Sequence, residues 1–272
     1  VTTVWHIAAV YDLAVGELFA YRVNVVGTSK VLDFCEACAN FERLNYVSTC
    51  YVAGERHGLV REDELDEGQG HKNHYESTKF WAELEVQRRR ERIPTVIFRP
   101  LVVVGDSQTG EIPKYDGPYM LMRFISRLPQ WVPPVFIGEG EAHFNIAPVD
   151  YVVGAMLAIA AKPDTDVVGE VFQLADPNPM RARDFLALVI RSMGRPEPKI
   201  ALPKQVFDAI LAVPQLRKLT GIPREGAVYF NHAVRFDVSN TLEALQDTDI
   251  RCPHPSTYMR TLLDYMYRNP EM

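Results

Sequence analysis

A tyrosine and a lysine four residues apart, Tyr75 and Lys79, are the residues of this sequence best suited to proton chemistry. Residues i and i+4 lie on the same face of an α-helix, so a helix through this segment points both side chains the same way. A free phenol has a pKa of about 10, and a neighbouring ammonium favours the phenolate. The spacing therefore predicts a tyrosine acid/base whose pKa is lowered by Lys79.

A hydroxyl from the preceding strand would complete such a site. The segment from Leu44 to Thr49 is typical of a buried strand, and it ends in two hydroxyl residues, Ser48 and Thr49. Successive side chains of a strand point to opposite faces, so only one of the two can face Tyr75. That hydroxyl would hold a carbonyl oxygen beside the phenol.

Apolar runs and amphipathic stretches place these residues in an α/β fold. We predict strands near 1–9, 44–49, 95–99 and 171–174, and helices near 17–40, 75–90, 119–128, 149–161, 181–193, 206–219 and 257–267. The polar, acidic and glycine-containing segment 53–73 is predicted to be a mobile loop that overlies the site.

Five motifs in register across residues 1–150 resemble the extended short-chain dehydrogenase/reductase family, also known as the NAD-dependent epimerase/dehydratase superfamily. The motifs are Val4-Trp-His-Ile-Ala-Ala9, Tyr21-Arg-Val-Asn-Val-Val-Gly-Thr28, Leu44 through Gly54, Tyr75-Glu-Ser-Thr-Lys79 and Phe98 through Asp106. The resemblance implies a Rossmann-type, doubly wound parallel sheet with a smaller C-terminal substrate lobe. Residues 1–112 with 146–176 would form the dinucleotide-binding domain, and residues 113–145 with 177–272 the substrate-binding lobe.

The resemblance also implies roles for individual residues. Tyr75 would be the general acid/base, and Lys79 would in addition bond the nicotinamide ribose. Thr49, chosen over Ser48 by counting back from Gly54, would hold the carbonyl oxygen. Asn24 would complete the catalytic group, since an asparagine in mid-helix needs a reason such as backbone hydrogen bonding near the cofactor.

The cofactor implied is NAD or NADP, with NADP favoured by the resemblance to reductases. Ala8 and Ala9 would let the dinucleotide approach the end of the first strand, and Pro100 and Val102 would meet the nicotinamide through their main chain. No Gly-x-Gly-x-x-Gly or Gly-x-x-Gly-x-x-Gly turn occurs in the sequence. We therefore expect the pyrophosphate-binding strands to precede Val1, this form to bind dinucleotide weakly, and the outer edge of the first strand to be bare and apolar.

The substrate class is indicated by a departure from the sugar-nucleotide members of the family. Those members carry an arginine that clamps the nucleotide diphosphate. The corresponding position in this sequence is Phe144, or His143 in a shifted alignment, and neither residue offers a guanidinium fork. The stretch Pro113-Lys-Tyr-Asp-Gly-Pro118 is more similar to thioester-reductase-like and acyl-reductase members. Hydride transfer between nicotinamide and a carbonyl or thioester of an apolar substrate is implied, with a channel that could involve Phe124, Trp131, Val135, Phe136 and Tyr229.

Two other functions stay open at this point. One is a nucleotide-sugar epimerase or dehydratase, which would use the same catalytic group. The other is a non-catalytic NAD(P)-binding regulatory or scaffold protein, since a fold alone does not fix a function. The resemblance further implies a homodimer, paired through the helices near 17–40 and 75–90.

Composition excludes several classes of protein. The net charge is −6 without an evident basic face, which argues against a nucleic-acid partner. No apolar run reaches the ~20 residues of a membrane span, and four cysteines without paired spacings fit a reducing cytoplasm. Cys35 and Cys38 are expected to pack inward, and His71 and His74 to be solvated. No metal site is predicted.

Overall fold

The computed structural model describes residues 1–12, 14–129, 136–137, 140, 142–196, 198, 201–202 and 233–271. Its strands are β1 (Thr3–His6), β2 (Arg43–Val47), β3 (Gly58–Val60), β4 (Thr95–Pro100), β5 (Val102–Val104), β6 (Phe136–Ile137), β7 (His143–Phe144), β8 (Ile146–Pro148), β9 (Val171–Leu174), β10 (Met180–Arg181), β11 (Ala201–Leu202) and β12 (Val234–Phe236). Its α-helices are α1 (Glu17–Ala20), α2 (Gly27–Ala37), α3 (His74–Arg88), α4 (Pro118–Arg127), α5 (Val149–Ala160), α6 (Asp164–Val167), α7 (Ala182–Ser192), α8 (Ser239–Ala244) and α9 (Pro255–Arg268). A π-helix (Tyr21–Val26) joins α1 to α2, and a 3-10 helix (Cys50–Ala53) follows β2.

The chain divides into two compact units. The first comprises Val1–Leu101, Tyr151–Pro177 and Val234–Arg251, and the second comprises Val102–Asp150, Asn178–Ala233 and Cys252–Met272. The lobe boundaries expected from the sequence placed 234–251 in the substrate lobe. In the structure this segment packs within the first unit because β12 pairs with β3.

The first unit is built on a parallel sheet in the order β1-β2-β4-β9, which confirms the predicted Rossmann-type α/β class. Leu44 and Tyr46 of β2 point to one face, where they pack with Leu32 of α2, Val86 of α3 and Ile97 of β4. This alternation buries the sheet face beneath α2 and α3 and brings the ends of β2 and β4 close to the start of α3.

The first strand has one hydrogen-bonded neighbour, β2, in the part of the chain that the structure describes. On this strand and just after it, Trp5 and Ile7 keep 36% and 59% of their surface exposed. Among the described residues β1 is therefore an edge strand.

The second unit has its own apolar core. Tyr119 and Met122 of α4 pack there with Phe185 of α7 and with Leu262 and Met266 of α9. Short strand pairs, β5 with β8 and β7 with β10, border it.

Two local predictions need correction. The segment 53–73, predicted to be a mobile loop, contains β3, and it also buries Glu62 and Leu65, so it is an ordered part of the first unit. The helix predicted over 17–40 is interrupted by the π-helical turn and ends at Ala37. The helix predicted near 206–219 lies outside the described residues.

Candidate functional site

The end of β2 separates the two candidate hydroxyls. The Ser48 hydroxyl donates a hydrogen bond to Glu83 of α3. The Thr49 hydroxyl donates to the Pro100 carbonyl (3.2 Å) and accepts from the Tyr51 amide (3.3 Å), and it lies beside the Tyr75 phenol, whose pKa it lowers. Thr49, and not Ser48, therefore faces the tyrosine.

The start of α3 is fixed by two side chains that cap its free backbone amides. Asn73 is the N-cap residue, and its side chain accepts a hydrogen bond from the Glu76 amide at 3.0 Å. The Glu76 carboxylate, which is fully buried, reaches back to the Lys72 amide at 2.9 Å. Reciprocal caps of this kind hold the first helical turn, and Tyr75 lies in that turn.

Tyr75 is half-buried, and its acidity differs from the prediction. Burial raises the pKa of Tyr75 to about 12. The Thr49 hydroxyl opposes this rise in pKa, and the neighbouring Glu76 carboxylate adds to it. The prediction that Lys79 makes Tyr75 more acidic is therefore wrong for this structure, because desolvation of the phenolate outweighs the stabilising contacts. The phenol stays protonated at neutral pH, which is the state a proton donor needs.

Lys79 is buried and points to the end of β2. Its ammonium donates to the Val47 carbonyl (2.9 Å) and to the Tyr46 phenol (3.2 Å), and it lies 4.7 Å from the centroid of the Tyr46 ring. Burial lowers the pKa of Lys79 to about 8, while the carboxylate of Glu83, one turn further along α3, opposes that fall. The amine thus changes charge close to physiological pH.

Asn24 lies in the π-helical turn, and its side chain has the kind of role expected for it. Its amide oxygen accepts from the Val10 amide (2.8 Å), and its amide nitrogen donates to the Val10 carbonyl (3.0 Å) and to the Thr78 hydroxyl (3.1 Å). Asn24 therefore fastens the segment after β1 to the start of α3. Single π-turns inside α-helices are common at functional sites.

The remaining predicted cofactor positions lie at the ends of strands. Ala8 is exposed and Ala9 half-buried, just beyond β1, and Pro100 is the last residue of β4. Val102 is the first residue of β5 in the second unit. In the first unit the structure thus brings together Thr49, Tyr75 and Pro100, with Lys79 and Asn24 attached through α3.

A buried ionic group behind the site was not predicted from the sequence. Arg99 contacts Glu83 through its Nη2 (2.6 Å) and Nε (3.0 Å) atoms, and its Nη1 donates to the Glu62 carbonyl (3.2 Å). The Glu62 carboxylate in turn accepts from the main-chain amides of Gln173 (2.7 Å) and Asn240 (2.6 Å). The sequence did contain a signal for this ionic group. Glu83 follows Lys79 by one turn on the same face of α3, and Arg99 is a charged residue within an otherwise apolar strand.

Other residues singled out in the sequence have structural surroundings of their own. His71 is half-buried and packs against Phe80 with ring centroids 4.8 Å apart, so its predicted solvation is wrong, while His74 is exposed. Cys35 is buried and Cys38 half-buried, and both thiols are free. Among the described residues, no cluster of histidine, cysteine or carboxylate side chains could hold a metal ion.

The residues considered for substrate binding lie in the second unit. Phe144 is buried against Phe185 with ring centroids 4.6 Å apart, and Phe124 packs beside the same core. Trp131, Val135 and Tyr229 lie outside the described residues, as does the side chain of Phe136. No helix in the described part of the chain is long and apolar enough to cross a bilayer.

The chain is similar in sequence to known proteins. A family model described as male sterility protein, NAD_binding_4, matches residues 1–156. The fatty acyl-CoA reductase wat of Drosophila melanogaster is 29% identical over 189 residues, which are 59% of this chain and 36% of that protein. The chain therefore spans about a third of the length of this relative.

Solved structures share the fold. The terminal R domain from the myxalamid PKS-NRPS biosynthetic pathway superposes with a TM-score of 0.82 at 25% identity, covering 98% of this chain and 68% of that one. UDP-glucuronic acid 4-epimerase from Bacillus cereus, solved with NAD, gives a TM-score of 0.68 at 20% identity, covering 98% and 74%. The second likeness concerns the fold alone.

Proposed function

This chain belongs to the male sterility protein family, and we propose that it is an NAD(P)-dependent oxidoreductase that reduces a carbonyl or thioester of an apolar substrate. The observation that carries the proposal is the placement of the Thr49 hydroxyl beside the Tyr75 phenol at the end of β2, with the Lys79 ammonium buried one helical turn away. The likeness to a fatty acyl-CoA reductase and to a terminal R domain supports the acyl or thioester class of substrate.

In the proposed reaction the protein holds and protonates the substrate oxygen. We propose that the Thr49 hydroxyl turns from the Pro100 carbonyl to a bound carbonyl oxygen, which the Tyr75 phenol also reaches. As negative charge develops on that oxygen, Tyr75 transfers its phenolic proton, which its raised pKa keeps in place at neutral pH until the more basic alkoxide forms. With a thioester, the resulting hemithioacetal would expel the thiol and leave an aldehyde.

The residues present fit a nicotinamide cofactor. The Lys79 ammonium has three N–H donors, and the hydrogen bonds described for it use two, to Tyr46 and Val47. We propose that the third donor bonds a ribose hydroxyl, and that Ala8, Ala9, Asn24 and Pro100 of the first unit border the cofactor. When bound, the cofactor would supply hydride to the carbonyl carbon. NADP is proposed over NAD because of the likeness to acyl-CoA reductases.

The test is removal of the phenolic hydroxyl alone. Tyr75→Phe is expected to lower kcat by at least about 100-fold, the range typical of a lost general acid, while the Kd for NADPH stays within about twofold. Turnover is followed as NADPH oxidation with a panel of acyl-CoA thioesters and aldehydes.

The matched control is Tyr21→Phe, which removes the hydroxyl of a tyrosine that is 47% exposed. It should leave both kcat and Kd unchanged. Full turnover in Tyr75→Phe would show that this phenol is not the acid.

The nucleotide-sugar alternative is disfavoured by the second unit. The position at which a diphosphate-clamping arginine was expected is Phe144, whose ring is buried against Phe185. We propose accordingly that the first unit binds the cofactor and the second the substrate. The homodimer and the cytoplasmic location expected from the sequence remain proposals, the second supported by the absence of disulfide bonds among the described cysteines.

A further inference from the structure

A group of buried side chains lies around the Lys79 ammonium. The Tyr46 phenol, fully buried, accepts from Lys79 at 3.2 Å, and its ring lies against that of His6 with centroids 5.5 Å apart. The Thr28 hydroxyl lies 2.6 Å from the Asn24 carbonyl and 2.9 Å from Nε2 of His6. Four elements, β1, β2, the helix containing residues 24–28 and α3, thus meet at these groups.

The positions of several hydrogens in this group follow from counting donors. An ammonium can only donate, so the Tyr46 oxygen is the acceptor from Lys79. A carbonyl can only accept, so the Thr28 hydrogen goes to the Asn24 carbonyl, and the Thr28 oxygen accepts from His6. His6 must then carry a hydrogen on Nε2.

The Tyr46 oxygen therefore faces Lys79. We propose that Tyr46 is a positioning residue for Lys79, with its ring packed beside an Nε2–H tautomer of His6 that is fixed by Thr28. A lysine side chain with four rotatable bonds is otherwise free to turn, and hydrogen bonds to a charged group are stronger than neutral ones. Any effect of Tyr46 on catalysis rests on the proposed function, whereas the hydrogen bond between Tyr46 and Lys79 does not.

The charged and titratable groups around Lys79 agree with this arrangement. Glu83 of α3 stabilises the ammonium, although Glu83 is itself paired with Arg99 of β4. Tyr75 of α3 and His6 of β1 are the other titratable groups that bear on the network. Burial and the Lys79 charge lower the pKa of His6 to about 4, so His6 is neutral at pH 7.

The experiment titrates the Lys79 amine by NMR of protein labelled with 15N-lysine, its signal assigned by its loss in Lys79→Gln. In the unsubstituted protein we expect a midpoint near pH 8. Tyr46→Phe keeps the ring, and with it the cation–π contact, but removes the acceptor oxygen, so the midpoint should fall by about one pH unit. Tyr21→Phe, which removes an exposed hydroxyl, should leave the midpoint unchanged.

Two further measurements keep the proposal testable. The 15N shifts of His6 should show hydrogen on Nε2 at pH 7. If Tyr46→Phe does not fold, Thr28→Val removes the acceptor of the His6 Nε2 hydrogen and should release His6 from a single tautomer. An unchanged Lys79 midpoint in the folded variant, or hydrogen on Nδ1 of His6, would overturn the proposal. Neither readout depends on turnover, so absence of reductase activity would count against the proposed function alone.

Discussion

The buried ion pair of Arg99 and Glu83 gives the sharpest prediction about stability. Their side chains are 1% and 0% exposed, and the guanidinium contacts the carboxylate through two nitrogens. Removing one partner of such a pair leaves an uncompensated buried charge, which costs about 3–5 kcal/mol. For Arg99→Met we expect the lower end, about 3 kcal/mol, because the Lys79 ammonium still offsets part of the Glu83 charge.

A double-mutant cycle isolates the pair. Glu83→Gln keeps an acceptor for the Ser48 hydroxyl, and Arg99→Met/Glu83→Gln removes both charges. The double variant should lose much less stability than the two single variants together, with an interaction energy of about 2–3 kcal/mol. The surface pair of Arg260 with Asp264, whose side chains are 76% and 50% exposed, provides the control, and Arg260→Met should cost under about 1 kcal/mol.

The assay is equilibrium unfolding in urea at pH 7, followed by far-UV circular dichroism and checked for a single transition. A loss of less than about 1 kcal/mol of unfolding free energy in Arg99→Met would show that Arg99 and Glu83 do not form a stabilising buried ion pair. Additive losses in the two single variants would show the same.

Three further predictions concern the segments that carry the site. Gly54→Ala should destabilise the protein in urea unfolding, because φ at Gly54 is +57° and an added Cβ would lie 2.1 Å from the backbone oxygen of Gly70. Gly58→Ala is the control, since φ is +77° there but the space around the added Cβ is open, and it should cost about 1–2 kcal/mol. The loss of stability in Gly54→Ala should be clearly the larger of the two. Burial raises the pKa of Glu62 from 4.5 to about 7, so the folded state keeps a proton that the unfolded chain has lost, and stability should fall by about 3 kcal/mol as pH rises through that window. Glu62→Gln should flatten this slope between pH 5 and pH 8, and an unchanged slope would contradict the assignment. Asn73→Ala should cost about 1 kcal/mol in unfolding and lower kcat, since it frees the first turn of α3, and an unaltered thermal midpoint would count against the cap.

Local patterns in the sequence were enough to predict most elements of the site. Alternation along β2 indicated that only one of Ser48 and Thr49 can face Tyr75, and the four-residue spacing put Tyr75 and Lys79 on one helix. Both conclusions depend on short-range geometry that the sequence encodes directly. The choice of Thr49 and the confirmed parallel sheet came from the resemblance to the family.

Burial and long-range pairing explain what the sequence did not reveal. The acidity of Tyr75 depends on desolvation, which no spacing reports, and so the predicted lowering of its pKa was wrong. The pairing of β3 with β12 joins segments more than 170 residues apart, and neither strand has a strong local signal. Tyr46 could not be recognised as the partner of Lys79, because a strand residue facing the core looks like any other packed aromatic residue.

The most direct test of a reductase site at Thr49 and Tyr75 is the transfer of a label from cofactor to product. NADPH carrying deuterium at nicotinamide C4 is incubated with the protein and a long-chain acyl-CoA or aldehyde, and the product is analysed by mass spectrometry. The account predicts deuterium on the former carbonyl carbon with the unsubstituted protein and at least a 100-fold slower appearance with Tyr75→Phe. Equal rates of labelling in the two proteins, or no labelled product from any carbonyl or thioester, would contradict it.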